Sequence, residues 1–190
     1  MTTLAPTLST RYFPRAANWL RELTLIVLGS LFVAALAQVE IPLPFTPVPI
    51  TGQTFGVLLV GAALGSKRGA LSLALYLAEG IIGLPFFAGG AHGLSVVIGA
   101  TGGYLIGFIA AAYIIGLLAE RGLERNARTS FIPFLAGTVI IYTCGITWLS
   151  IVLGSFSKAV ALGMVPFLIG DVIKLLAATV ALPAAWKIVK

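Results

Sequence analysis

VPFLIGDVIKLLAATVALPAAW, residues Val165 to Trp186, is the stretch that decides how this chain folds. It is long and apolar enough to be a membrane-spanning helix, which needs about 20 such residues at ~1.5 Å rise each. Inside it stand two charges, Asp171 and Lys174. A charge at membrane depth costs about 2.5–3.5 kcal/mol on the most lenient scales, so it faces a protein interior, a cavity or a ligand. Three residues apart, the two side chains share one helix face. Counted from Val165, Asp171 is six residues in, or about 9 Å, and Lys174 is one turn deeper. Two readings follow. The pair is a ligand site, with Lys174 for a carboxylate and Asp171 for N–H donors, or it is an internal ion pair that pins the helix in its bundle.

The rest of the chain agrees with a bilayer as solvent. Hydrophobic residues make up 59% of the 190 and charged residues only 9%, with a mean hydropathy of +1.07. A soluble domain carries about 25% charged residues. The net charge of +6 does not point to nucleic acid, because the basic residues sit in short connections between apolar runs. Cys144 is the sole cysteine and His92 the sole histidine, which excludes an intramolecular disulfide and argues against a metal centre. Residues 1–18 read as a basic cytoplasmic segment rather than a signal peptide, since the apolar run after Arg11, Arg15 and Arg21 is too long for an h-region.

Working outward from the last helix, the sequence predicts an all-α, polytopic membrane protein. It forms a single integral membrane domain over residues 1–190 with six spans. The spans run over Trp19–Gln38, Thr51–Leu64, Ala70–Ile82, Leu94–Ala119, Phe131–Leu153 and Val165–Trp186. The second and third are short and require tilt, kinks or help from their flanks. Ten of the twelve Lys and Arg lie at the N-terminus, between spans two and three, between spans four and five, and at the C-terminus. Lys158 alone lies on the other side. The excess of cationic loops therefore puts both termini in the cytoplasm and requires an even number of spans. The outer loops are then a Pro-rich run, Val39 to Ile50, a Gly- and Phe-rich run, Gly83 to Gly93, and the connection near Gly154 to Met164. Prolines 42, 44, 47 and 49 predict that the first is an extended, stiff strap. Such loops would cap a small-molecule pocket.

Other polar residues have two readings each. Glu79 is either a helix-end carboxylate in the headgroup region or a ligand acceptor. Glu40, in the strap, is expected to be solvated. Gln53 and Thr54 either cap a helix or meet a ligand head group. Thr101-Gly102-Gly103-Tyr104 and Gly107 permit close helix packing or make room for a ligand. His92 reads as a loop residue. Trp19, Trp148 and Trp186 fit interfacial anchoring, with Trp148 also within reach of a pocket. Gly29, Ser30 and Ala34 form a small-residue face for bundle packing or for docking a partner helix. No GxxxxGK[ST] phosphate loop, HExxH or GxSxG motif is present. An intramembrane enzyme is disfavoured, and no repeat of broken helices points to a self-contained transporter.

Several runs together resemble one family. They are AQVEIPLPFTPVPITGQT (Ala37 to Thr54), YLAEG (Tyr76 to Gly80), GLPFFAGG (Gly83 to Gly90), TGGY (Thr101 to Tyr104) and GDVIK (Gly170 to Lys174). In this order they are similar to the BioY family, whose members are biotin-specific substrate-binding (S) components of energy-coupling factor transporters. The chain departs from the family pattern at Gly52, at Ala100 and at Ser30-x-x-x-Ala34, which stands where an AxxxA step is expected.

The resemblance implies the six-helix S-component fold in a prokaryotic plasma membrane. It implies high-affinity capture of biotin from outside and delivery with a transmembrane coupling protein and two cytoplasmic ATPases, with no cofactor and no nucleic acid. Asp171 and Lys174 would line the biotin pocket, with the strap, Gly89, Gly90, Thr101 and Tyr104 around it. Gly29, Ser30 and Ala34 would dock the coupling protein. Chemically, the valerate carboxylate suits Lys174, and the ureido N–H groups suit Asp171, Glu79 or Gln53. The thiophane ring suits Phe86, Phe87, Tyr104 and Trp148. An S component for another carboxylated vitamin and a solitary secondary carrier are the competing readings.

Overall fold

The structure is a computed structural model and describes residues 3–14 and 17–189. Arg15 and Lys190, both counted in the charge asymmetry, lie outside the described residues. A short helix, α1 (Leu4–Tyr12), precedes the first long one, α2 (Asn18–Ala37). The basic segment is thus partly helical, and Thr3 and Leu4 are buried at its start.

After α2 the chain turns back on itself. Strands β1 (Glu40–Ile41) and β2 (Ile50–Thr51) pair antiparallel, Glu40 opposite Thr51 and Ile41 opposite Ile50. The Pro-rich run is therefore a hairpin flap and not an extended strap. Its four prolines all fall between the paired residues, where the missing N–H groups end the ladder. Val48 is buried, and Thr46 Oγ1 donates to the Leu162 carbonyl at 2.7 Å, which fastens the flap to a segment 116 residues further along the chain.

Helices α3 (Gln53–Leu64) and α4 (Ser66–Ile81) follow, joined by Gly65 alone. Gly65 has φ +87°, a conformation that a side chain resists, and it turns the chain between two packed helices. With 12 residues, or about 18 Å, α3 is shorter than the ~30 Å hydrocarbon core.

The predicted fourth span is two helices, α5 (Leu94–Ile98) and α6 (Gly102–Ala119). Gly99 between them is extended, and its carbonyl accepts both from the Gly102 N–H at 3.3 Å and from Trp148 Nε1 at 2.8 Å. Helix α7 (Ala127–Leu153) begins four residues earlier than predicted, because Asn126 caps it by accepting from the Arg128 N–H. The predicted loop after it holds another helix, α8 (Phe156–Gly163), capped by Ser155. Last comes α9 (Leu168–Val189), entered through a 3₁₀ turn at Val165–Phe167.

Among the described residues, four segments are long and apolar enough to cross a membrane: α2, α6, α7 and the run from α8 into α9. Helix α6 is the centre of the bundle. Its window is 61% buried, against 22–28% for the other three, and α3, α4 and α7 pack around it. Val57, Leu73, Ile115, Phe134 and Leu149 fill the core. The outer surface is apolar too. On α9, Ile169, Val172, Ile173, Leu176 and Val180 are exposed, while Leu175, Ala178 and Leu182 are buried at helical spacing on the opposite face.

Candidate functional site

A cavity of about 200 Å³ opens between the flap, the 83–93 loop and helices α3, α6, α7 and α9. Its apolar wall includes Val48, Phe87, Leu105, Phe108, Ile141 and Phe167. One pole is polar and charged. Lys174 Nζ donates to Asp171 Oδ1 at 2.9 Å and to Thr54 Oγ1 at 2.9 Å. Thr54 Oγ1 donates to the same Asp171 oxygen at 3.2 Å, and Tyr142 OH donates to Asp171 Oδ2 at 2.5 Å. Both charged side chains are mostly buried, at 20% exposed for Lys174 and 11% for Asp171. A buried pair of this kind persists only when its remaining valences are satisfied. Thr54 and Tyr142 bring the donors on Asp171 to three, which leaves Oδ2 one further acceptor site, and one of the three Lys174 N–H groups has no partner among the described residues. Because α9 starts at Leu168, Asp171 sits in its first turn, where the helix dipole favours a carboxylate. That is about 4.5 Å into the helix, half the depth read from the sequence.

A second polar chain lies on the flap side. Thr51 Oγ1 donates to Gln53 Oε1 at 2.9 Å, Gln53 Nε2 donates to Tyr76 OH at 2.5 Å, and Tyr76 OH donates to the Phe86 carbonyl at 3.1 Å. Tyr104 OH donates to the Gly163 carbonyl at 2.7 Å and so closes the wall against α8. Glu40, on β1, lines the mouth, and its carboxylate lies against Gly89.

A model of the BioY family matches residues 5–190. The chain belongs to the BioY family. The biotin transporter BioY of Rhizobium etli is 39% identical over 163 residues, covering 81% of this chain and 87% of that one. The biotin transporter BioY of Thermotoga maritima is 44% identical over 142 residues, covering 73% and 80%. Among solved structures, the crystal structure of an S-component for biotin from an ECF-type ABC transporter matches with a TM-score of 0.76 at 29% identity, over 90% of this chain and 95% of that one. With its long apolar helices, this BioY chain is a multi-pass membrane protein with the architecture of that S-component.

Of the residues singled out in the BioY sequence, Asp171, Lys174, Gln53, Thr101, Tyr104 and Phe87 line the cavity together. Others do not. Glu79 is turned to the α2–α4 interface, where it accepts from Ser30 Oγ. Phe86 contributes a carbonyl to Tyr76 rather than a ring to the cavity wall. Gly89 and Gly90 shape the loop whose neighbours Ala88 and Ala91 do the lining. Trp148 acts one layer out, through its bond to Gly99. Trp186 is not an anchor at the interface. It is buried, with the Arg125 guanidinium 4.6 Å over its ring.

The docking face is also corrected. Gly29, Ser30 and Ala34 are buried, and a Cβ on Gly29 would fall 2.5 Å from Ser72 Oγ. Gly29 and Ser30 face α4, Gly29 leaving room for Ser72 and Ser30 donating to Glu79. What α2 turns outward is Leu28, Leu31 and Phe32.

The sequence reading overlooked Tyr142, which has no charge to mark it, and it took Glu40 as solvated. The four prolines after Glu40 read as an extended strap, and the β1–β2 pairing that folds this carboxylate back to the cavity was not foreseen.

Proposed function

We propose that this BioY protein is a biotin-binding S component that crosses a prokaryotic plasma membrane six times with both termini in the cytoplasm. It binds biotin from the extracellular side and delivers it together with a transmembrane coupling protein and two cytoplasmic ATPases. The observation that carries this reading is the mixed-charge pole, Asp171 with Lys174, set in an otherwise apolar cavity. Family membership and the names of the similar proteins support biotin as the ligand.

Biotin has a neutral urea at one end, a carboxylate at the other and an apolar body between. The free Lys174 N–H suits the carboxylate or the ureido oxygen, and Asp171, Gln53 and Glu40 offer acceptors for the ureido N–H groups. Phe87, Tyr104 and Phe108 suit the ring system. The chain has no phosphate loop, so ATP-driven delivery falls to the partner proteins.

Equilibrium binding of labelled biotin to the detergent-purified chain tests the ligand. Nanomolar affinity is the expected result, and tight binding of a different vitamin with none for biotin would overturn it. Uptake by cells that lack the ATPase module, abolished by a proton uncoupler, would instead support a solitary carrier.

A further inference from the structure

Beside the cavity, on the outer surface of the bundle, helices α7, α8 and α9 enclose a separate groove of about 590 Å³. Its lining includes Leu135, Val139, Ile146, Phe156, Val160 and Leu168. The hydroxyls of its Thr138, Thr143 and Thr147 are each turned back onto the carbonyl four residues earlier. The groove therefore presents methyls and aliphatic side chains, as a surface against hydrocarbon should. Among the described residues, only Tyr142 and Asp171 line both the cavity and this groove. They are bonded to each other at 2.5 Å, so a hydroxyl–carboxylate contact stands between the charged pole of the cavity and the apolar groove.

The two oxygens of Asp171 are thus in different situations. Oδ1 has Lys174 and Thr54. Oδ2 has Tyr142 alone among the described residues. In an exposed site, water would replace a lost hydroxyl. Here the groove's threonine hydroxyls already donate to backbone carbonyls, so an Oδ2 without Tyr142 finds no ready donor on that side and the carboxylate is free to turn toward Lys174 or the cavity.

We infer that Tyr142 is a positioning residue for the ligand, acting through Asp171: its hydroxyl fixes the carboxylate in the orientation that the ligand meets. Tyr142 need not touch the ligand to do this. The inference rests on the binding reading above. It adds a role for a residue that carries no charge and belongs to none of the motifs quoted from the sequence.

A double-mutant cycle on labelled-biotin binding tests it, with Tyr142→Phe, Asp171→Asn and the double variant compared with the unaltered chain. Tyr142→Phe keeps the ring and the wall and removes only the hydroxyl. It is expected to weaken binding about tenfold, equivalent to about 1.4 kcal/mol. In the Asp171→Asn background the same change is expected to weaken binding less than twofold, because the carboxylate it orients is gone. A purely structural Tyr142 would weaken both backgrounds equally, and that additivity overturns the inference. Unaltered affinity of Tyr142→Phe overturns it as well. Failure of the unaltered chain to bind biotin is a different result, and counts against the ligand instead. Thermal unfolding of each variant, with biotin absent, identifies any loss due to misfolding. Should Tyr142→Phe not fold, Tyr142→Trp, which keeps a ring N–H donor, is expected to retain binding better than Tyr142→Leu, and equal losses in those two would overturn the inference.

Discussion

Asp171 and Lys174 are three residues apart on α9 and 2.9 Å apart in space, so each solves the other's desolvation. What distinguishes them from a closed internal ion pair is the company. Thr54 from α3 joins both charges, and the group faces a cavity rather than packed side chains. Lys174→Ala and Asp171→Asn should each weaken biotin binding at least tenfold, about 1.4 kcal/mol, in the same equilibrium assay. Two variants that fold and bind normally would make the pair structural. Glu124 is the opposite case. It sits outside the spans, in a 3₁₀ turn between α6 and α7, fully buried, with Arg125 Nε 3.6 Å away. Burial pushes its carboxyl above the usual range, against the pull of Arg125 and the Trp186 indole. The folded chain then holds the proton more tightly than the unfolded one. Its contribution to stability is complete below the ordinary value of 4.5 and is lost as pH rises through the raised folded value. Glu124→Gln should flatten that slope and raise the unfolding temperature at neutral pH, measured by thermal scans from about pH 4 to 8.

Elements end where a tertiary partner makes ending worthwhile. Leu94 to Ala119 reads as one apolar helix, and nothing in its hydropathy distinguishes residues 99–101. At the break Trp148, on α7, joins the Gly102 N–H on the Gly99 carbonyl and so ties the interrupted helix to its neighbour. Trp148→Phe should cost about 1 kcal/mol, within the range for interhelical hydrogen bonds in membranes, and should lower the unfolding temperature in detergent. The flap shows the same dependence on a distant residue. Gly89 has φ +62°, and a Cβ there would fall 2.1 Å from Glu40 Oε2. Gly89→Ala should cost about 1–2 kcal/mol for the left-handed conformation alone, plus the displacement of Glu40. Adding Glu40→Ala should recover the second part and not the first. Equal stability of the single and double variants would show that the loop and the flap do not meet.

The outer surface is largely apolar, and among the described residues the charged side chains lie in the cavity, the loops and near the helix ends. Ile169 and Val180, 79% and 64% exposed, are acceptable only against lipid. If six helices cross with both termini in the cytoplasm, single cysteines at Lys158 and Lys187, in a Cys144→Ser background, should react with a membrane-impermeant reagent from opposite faces of the membrane. Labelling of both from one face would refute that topology. Much of this architecture was legible in the chain. Long apolar runs and loop charge determine helices and class by themselves, because a bilayer core admits no unpaired backbone or unpartnered charge. The paired charges on α9 and the proline run also lie around the same cavity. Direction was not legible. Small residues serve a docking face and a packed interface equally, and only the position of α4 decided that Gly29 and Ser30 turn inward. Glu79 and Glu40 are both acids near helix or strand ends, yet Ser30 draws one away while the hairpin carries the other to the cavity mouth. Tyr142 meets Asp171 across 29 residues of chain. Sequence by itself determined which residues need a partner, since burying a charge or a carbonyl has a local cost. Tertiary structure alone decided who the partner is, since that depends on which helices lie side by side.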